Sequence, residues 1–156
     1  MTVKYVILHW TAGNYTPCDY DKQHYQLLID NEGKTHIGLP IGKTSSTGGM
    51  NSITYNISCC GGLNRTPLTR IQMESLFKHT AEVVKQNKLS VQNVYTHAEI
   101  GAMCANGTIT KLLPINGYLK QNIGKVDLSK IPYDTLGKSN GDFIRSKIQW
   151  YYNNIK

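Results

Sequence analysis

Two histidines end short apolar segments at distant places in the sequence. His9 closes YVILH, residues 5–9, and His97 closes VYTH, residues 94–97, and a polar loop is expected after each. If the two segments are neighbouring strands of one sheet, both imidazoles project from the same edge, which is a rigid support for metal ligands. Two imidazoles, a third protein ligand and one position left for water make a catalytic zinc site. The sequence therefore indicates a metal centre built on two strand ends.

Three residues are candidates for the third ligand. Glu99 lies two residues after His97, where two ligands would crowd each other. Cys104 is a good zinc ligand chemically, but nothing in its neighbourhood marks it. Asp127 lies in GKVDLSKIP, where it alternates with Lys125 and shares a face with it in an extended segment. We favour Asp127, because this places a cation beside a carboxylate at the metal.

Strands that would position these residues are predicted from apolar, β-prone runs. They lie at residues 4–9, 25–29, 35–39, 54–60 and 91–97. The second and third form a hairpin around a turn at residues 31–33. Residues 10–24 are predicted to be a loop. Residues 42–52, GKTSSTGGMNS, are predicted to be a functional loop rather than a linker, because the stretch is short and flanked by strands.

Helices are predicted in two places. Thr69 and Gln72 have capping-box spacing ahead of one apolar stripe formed by Met73, Phe77, Ala81 and Val84, and this helix should end near Asn87. The last helix should cover residues 142–153, with Ser139 or Asn140 as its cap. Residues 100–124 carry weak signals and are expected to be irregular. The prediction is a mixed α/β fold: one domain, residues 1–156, with a central mixed β-sheet flanked by helices.

Composition excludes some classes of protein. No apolar run approaches the roughly 20 residues of a membrane span, so no membrane insertion is expected. The net charge of +7 attracts polyanions such as nucleic acid, anionic lipid or anionic wall polymer. The lysines are scattered and no basic cluster favours nucleic acid, so no nucleic-acid partner is expected. The first residues do not resemble a secretory signal peptide.

Five segments resemble, in the same order, those of zinc-dependent N-acetylmuramoyl-L-alanine amidases, the superfamily that includes phage lysozyme-type amidases and peptidoglycan recognition proteins. They are ILHWTAG, HYQLLIDNEG, TGGMNSITYNIS, YTHAEIG and GKVDLSKIP. The resemblance extends from about residue 4 to residue 133 and is greatest to phage or prophage endolysins. It implies the fold of that superfamily, with a central sheet and flanking helices.

The resemblance also implies a reaction and the residues that perform it. Zn²⁺ would be held by His9, His97 and Asp127, and would activate water to cleave the amide bond between N-acetylmuramic acid and L-alanine. Lys125 matches the family's catalytic lysine and would stabilise the oxyanion. Tyr25 matches a tyrosine that lines the site and would orient water or relay its proton. Some relatives carry a glutamate where this chain has Ser58, so the general base is not identified.

Other residues are weaker candidates for the site. Substrate contacts are predicted for four residues: Trp10, Thr47, Gly48 and Asn51. Trp10 fits a buried core position as well as a sugar-stacking platform. Glu99 fits either a second layer around the metal, bonded to an imidazole N–H, or a solvated loop. The remaining histidines, His24, His36 and His79, are read as structural.

The predicted function is zinc-dependent hydrolysis of bacterial peptidoglycan, in phage-type bacteriolytic lysis or another form of cell-wall degradation. One alternative is a non-catalytic peptidoglycan-binding module of the same fold. Another is an amidase with a second, regulatory role, such as binding host RNA polymerase. We expect a monomer that resides in the bacterial host cytoplasm and acts at the cell wall after release or export. Its partner would be the muropeptide stem.

Overall fold

Five strands form one mixed sheet in the computed structural model, which describes residues 2–156. In chain order they are β1 (Tyr5–Trp10), β2 (Leu27–Ile29), β3 (Thr35–Ile37), β4 (Thr54–Cys59) and β5 (Val94–Thr96). Their spatial order is β3-β2-β4-β1-β5. Only the pairing of β3 with β2 is antiparallel; the other pairs are parallel. The carboxyl ends of β1, β4 and β5 therefore meet at one edge.

In the described part of the chain, four α-helices accompany the sheet: α1 (Asp19–Lys22), α2 (Arg70–Gln86), α3 (His97–Asn106) and α4 (Asn140–Asn153). Short 3-10 helices span Val91–Asn93, Thr108–Lys111 and Leu119–Asn122. None of the helices within residues 2–156 has the length and apolar character needed to cross a bilayer. All four cysteines are free thiols.

Both faces of the sheet are covered, because side chains alternate along the buried strand β1. Val6 and Leu8 pack into the larger cluster with α2 and α4. Ile7 points the other way, into a smaller cluster with Ile100 of α3. The predicted mixed α/β fold with a central mixed sheet and flanking helices is confirmed, and the elements form a single domain.

The two long helices agree closely with their predictions. Thr69 caps α2 through the expected reciprocal bonds with Gln72, and the helix ends at Gln86. Ser139 caps α4, which begins two residues earlier than expected.

Three local predictions are wrong. The loop expected at residues 10–24 contains α1, and residues 91–93 form a 3-10 helix, so β5 is only three residues long. The irregular structure expected from residue 100 onward begins instead with α3. The reason is a second capping box: the Thr96 hydroxyl accepts from the Glu99 N–H at 3.1 Å, and Glu99 accepts from the Thr96 N–H at 3.0 Å. His97 therefore begins a helix rather than ending a strand.

Helix α3 lies so close to the turn at residues 119–122 that a side chain at Gly101 would have no space. A Cβ atom there would overlap the carbonyl oxygen of Asn122. We expect Gly101→Ala to lower the free energy of unfolding by about 1–3 kcal/mol, because backbone must move to relieve the overlap. Thermal unfolding measures this. Gly117→Ala is the control: no atom lies within 4 Å of its Cβ position, so its midpoint should equal or exceed that of the wild type.

Candidate metal centre

The parallel pairing of β1 with β5 brings the two predicted histidines together. Leu8 of β1 is in register with Thr96 of β5. His9 directly follows Leu8 and His97 directly follows Thr96, so the two histidines lie side by side. Asp127 reaches the same edge from the segment that follows the 3-10 helix Leu119–Asn122. Its carboxylate accepts a hydrogen bond of 3.2 Å from the Trp10 N–H, which fixes this segment to the end of β1.

The three side chains converge through their Nδ1 and carboxylate atoms. His9 Nδ1 lies 3.2 Å from His97 Nδ1 and 3.6 Å from Asp127 Oδ2, and His97 Nδ1 lies 3.7 Å from Asp127 Oδ1. Ligand atoms about 2.0–2.1 Å from a tetrahedral zinc ion are separated by roughly 3.3 Å. The spacing therefore fits a single ion of this size.

The chemistry of the group also fits a cation. All three side chains are buried, and the Asp127 residue is only 8% exposed. Among residues 2–156, no lysine or arginine pairs with this carboxylate, whose partners are the two imidazoles and the Trp10 N–H. A buried carboxylate needs a compensating positive charge. Burial lowers the pKa of His9, which favours the neutral imidazole that a metal binds.

Each imidazole uses its other nitrogen to contact an asparagine. His9 Nε2 lies 2.9 Å from Asn56 Oδ1, and His97 Nε2 lies 2.8 Å from Asn122 Oδ1. Glu99, predicted as a candidate for this role, contacts neither imidazole. Its carboxylate forms two hydrogen bonds of 2.8 Å with Arg145 of α4 and caps α3. The prediction that Glu99 bonds an imidazole N–H is therefore wrong. The alternative prediction, a loop carboxylate that only contacts solvent, is wrong as well.

A cleft of about 470 Å³ opens over the metal group. The two predicted catalytic residues, Lys125 and Tyr25, both line it. The Tyr25 ring lies 5.0 Å from the His9 ring, centroid to centroid. Burial and the Asp127 carboxylate raise the pKa of Tyr25, so its phenol stays protonated at neutral pH. Tyr25 can therefore donate a hydrogen bond from its phenol.

Of the four predicted substrate-binding residues, only Trp10 lines the cleft. Thr47 is fully buried and donates a hydrogen bond of 2.8 Å to Asn56 Oδ1. Gly48 and Asn51 line a separate depression, and Asn51 also fastens its own loop by accepting from two backbone N–H groups. Trp10 lines the cleft, yet it is 6% exposed and packs in the larger core. The sugar contact of Trp10 stays a prediction. Of residues 42–52, Ser45 and Ser46 line the cleft, whereas Thr47 is buried beneath it.

Sequence reasoning missed Asn56 and Asn122. A signal existed for Asn56, because Thr54, Asn56 and Ser58 form a polar alternation along β4, a strand with apolar residues between them. Ser58 is fully buried and offers no carboxylate. Asn122 carried no comparable signal. Asp21 and His24, which had no assigned role in the site, also line the cleft.

Comparison with known proteins adds independent evidence. The family model described as N-acetylmuramoyl-L-alanine amidase matches residues 1–111, which include both histidines. The comparison with curated protein sequences gave no match.

Solved structures share the fold at low identity. N-acetylmuramoyl-L-alanine amidase LysC from Clostridium intestinale is 18% identical, with 64% of this chain and 72% of that chain covered and a TM-score of 0.54. The Staphylococcus aureus hydrolase AmiA is 12% identical, with 97% of this chain and 73% of that chain covered and a TM-score of 0.60. The Ph2119 endolysin of a Thermus scotoductus bacteriophage is 18% identical, with 64% of this chain and 73% of that chain covered and a TM-score of 0.50. The chain belongs to the N-acetylmuramoyl-L-alanine amidase family.

Proposed function

We propose that the protein is a zinc-dependent hydrolase that cleaves the amide bond between N-acetylmuramic acid and L-alanine in bacterial peptidoglycan. The observation that carries the proposal is the convergence of His9, His97 and Asp127 beneath an open cleft, in a chain of this family. Three protein ligands are the number typical of catalytic zinc sites, whereas structural sites use four.

The ion supplies Lewis acidity when bound: it polarises a carbonyl and makes water more acidic. The residues of the chain supply the rest. Lys125 lines the cleft and is exposed, and its ammonium group would stabilise the negative charge that develops on the carbonyl oxygen. Tyr25 donates a hydrogen bond from its phenol and holds the reacting groups in place. His9 and Asp127 are buried, and electrostatic interactions are stronger where water is excluded.

The surface suits the proposed substrate. The cleft is open to solvent, and polar side chains from several segments line it, among them Asp21, Ser46 and Lys125. The net charge of +7 favours association with anionic wall polymers and accelerates encounter at low ionic strength.

Digestion of purified peptidoglycan tests the proposal. We expect new amino termini on L-alanine, no new reducing sugar, loss of activity with 1,10-phenanthroline and recovery with Zn²⁺. Release of reducing sugar would overturn the assignment, because it would show cleavage of the glycan. Muropeptide binding by zinc-loaded protein without release of amino groups would instead identify a recognition module.

Tyr25→Phe tests the proposed hydrogen bond. The ring and its packing on His9 remain, and only the hydroxyl is lost. We expect kcat to fall about a hundredfold with zinc content unchanged, as for removal of one donor to a developing oxyanion. The control is Tyr152→Phe, which lies against Lys85 of α2 and not in the cleft, and which should retain full activity. Full activity of Tyr25→Phe would remove Tyr25 from the mechanism.

The biological setting that we propose is degradation of the bacterial wall in phage-type lysis, with the protein reaching the wall after release or export. Structural likeness to an endolysin is consistent with this setting. Purified protein added to permeabilised bacteria should lower their turbidity, and the Asp127→Ala variant should not.

A further inference from the structure

We propose that Asn122 and Asn56 are positioning residues of the metal centre, each fixing one ligand histidine with its Nδ1 lone pair directed at the ion. The inference rests on the proposed function only in that the ion is zinc. It concerns the way in which the protein selects one nitrogen of each ring, which the three ligands alone do not determine.

The orientation of the Asn122 amide follows from its partners. The Nδ2 atom lies 2.9 Å from the Gly48 carbonyl oxygen and 2.9 Å from the Leu119 carbonyl oxygen. Carbonyl oxygens only accept, so the amide must direct its NH₂ group at them and its oxygen at His97. That oxygen also only accepts. His97 Nε2 must therefore carry the proton, and Nδ1 is left with its lone pair toward the metal group.

The Asn56 amide is oriented in a similar way. The Thr54 hydroxyl donates to the Met50 carbonyl oxygen at 2.9 Å, so toward Asn56 Nδ2, at 3.1 Å, it acts as acceptor. Asn56 Oδ1 then faces His9 Nε2 and also accepts from the Thr47 hydroxyl. Two independent chains of hydrogen bonds, both ending on backbone carbonyls, thus fix the two imidazoles.

The side chains in these bonds are buried, so water cannot replace a hydrogen bond that is lost. Asn56 is 0% exposed, Asn122 is 1% exposed, and the two histidines are 1% and 4% exposed. If the His97 ring turned over about its Cβ–Cγ bond, carbon atoms would take the places of Nδ1 and Nε2, and Asn122 Oδ1 would lose its donor. Leaving one buried polar group unsatisfied costs about 1–3 kcal/mol. The metal geometry therefore depends on Gly48 and Leu119, which lie outside the ligand set.

A purely structural role for Asn122 would be to fasten residues 42–52 to the turn at 119–122. Asn116 provides the comparison, because its Nδ2 donates to the neighbouring Gly49 carbonyl at 3.2 Å but its side chain contacts no imidazole. Replacing either asparagine by leucine removes one hydrogen bond to a backbone carbonyl of residues 42–52. Only Asn122→Leu also removes the acceptor for His97.

The experiment compares zinc-loaded wild type, Asn122→Leu and Asn116→Leu. Competition with a chromogenic chelator gives the zinc dissociation constant, and nitrogen-15 NMR detects the imidazole N–H protons. In the wild type we expect two slowly exchanging Nε2–H protons, with that of His97 close to the Asn122 amide protons. Asn122→Leu should lose the slow exchange at His97, keep it at His9 and bind zinc about 10–100-fold more weakly. Asn116→Leu should keep both signals and the wild-type affinity.

Two results would overturn the proposal. One is a wild-type spectrum that shows a proton on Nδ1 of either ring, or Nε2–H protons that exchange rapidly. This test uses only the wild type, so it does not depend on whether a variant folds. The other is an equal loss of zinc affinity in Asn122→Leu and Asn116→Leu, which would make the role of Asn122 structural. Failure of the wild type to bind zinc would count instead against the proposed function.

Discussion

Asp127→Ala should lose its zinc and all measurable amidase activity. The substitution removes the only carboxylate of the metal group and leaves two imidazole nitrogens 3.2 Å apart without their anionic partner. It also removes the acceptor that ties residues 124–127 to the Trp10 N–H. We expect the bound zinc to fall from about one ion per chain toward none after dialysis. kcat/KM should fall by at least about 10³-fold, or about 4 kcal/mol of transition-state stabilisation.

Cys104→Ala is the matched control, since Cys104 was a rival candidate for the third ligand. The thiol lies on α3 near the Asn122 side chain and outside the group of three. This variant should retain zinc and activity close to the wild type. Elemental analysis and a wall-digestion assay measure both properties. Zinc retained by Asp127→Ala and lost by Cys104→Ala would move the third ligand to the cysteine and would require α3 to be placed differently.

The sheet edge could be predicted because the information is local. YVIL and VYT are β-prone runs that each precede a histidine, and parallel neighbours bring their carboxyl ends together. The sequence order alone does not establish that neighbourhood; β5 pairs with β1 although more than 80 residues separate them in the chain. The pairing was a supposition from the two histidines, as Asp127 was from its alternation with Lys125, and the resemblance to known amidases then implied that the three residues hold one ion.

The start of α3 was predictable and was missed. Thr96 and Glu99 have the same capping-box spacing as Thr69 and Gln72, which correctly located α2. No loop separates β5 from α3, so His97 has the sequence context of a strand end as well as of a helix start. The consequence for the site is small, because the first residue of a helix that follows β5 directly occupies the same edge as a strand end.

The role of residues 42–52 could not be predicted from the sequence. Gly, Ser and Thr in a short loop are as typical of a ligand-binding segment as of a structural one. Thr47 and Gly48 are used by their hydroxyl and carbonyl groups, which orient Asn56 and Asn122. Such bonds join residues up to 74 positions apart, and no periodic pattern records them.

Lys125→Met should lower kcat by about 10²–10³-fold while zinc binding is unchanged. The substitution keeps an unbranched side chain that is one atom shorter and removes its charge, and Lys125 is not one of the three converging side chains. The segment that carries it stays in place, because the Lys125 N–H donates to the Asn122 carbonyl oxygen and Asp127 still accepts from Trp10. Losing one preorganised group that faces the developing oxyanion typically costs about 3–4 kcal/mol.

Lys120→Met separates this local effect from a change in net charge. Lys120 lies on the preceding turn, is exposed and is not part of the cleft, so both variants lower the net charge by one. Weaker attraction of an anionic wall would raise KM in both, whereas loss of oxyanion stabilisation would lower kcat in Lys125→Met alone. A lowered kcat that Lys125→Arg partly restores would support an electrostatic role. Equal effects of Lys125→Met and Lys120→Met would reduce Lys125 to one of many surface cations, and the oxyanion would then depend on the ion and Tyr25.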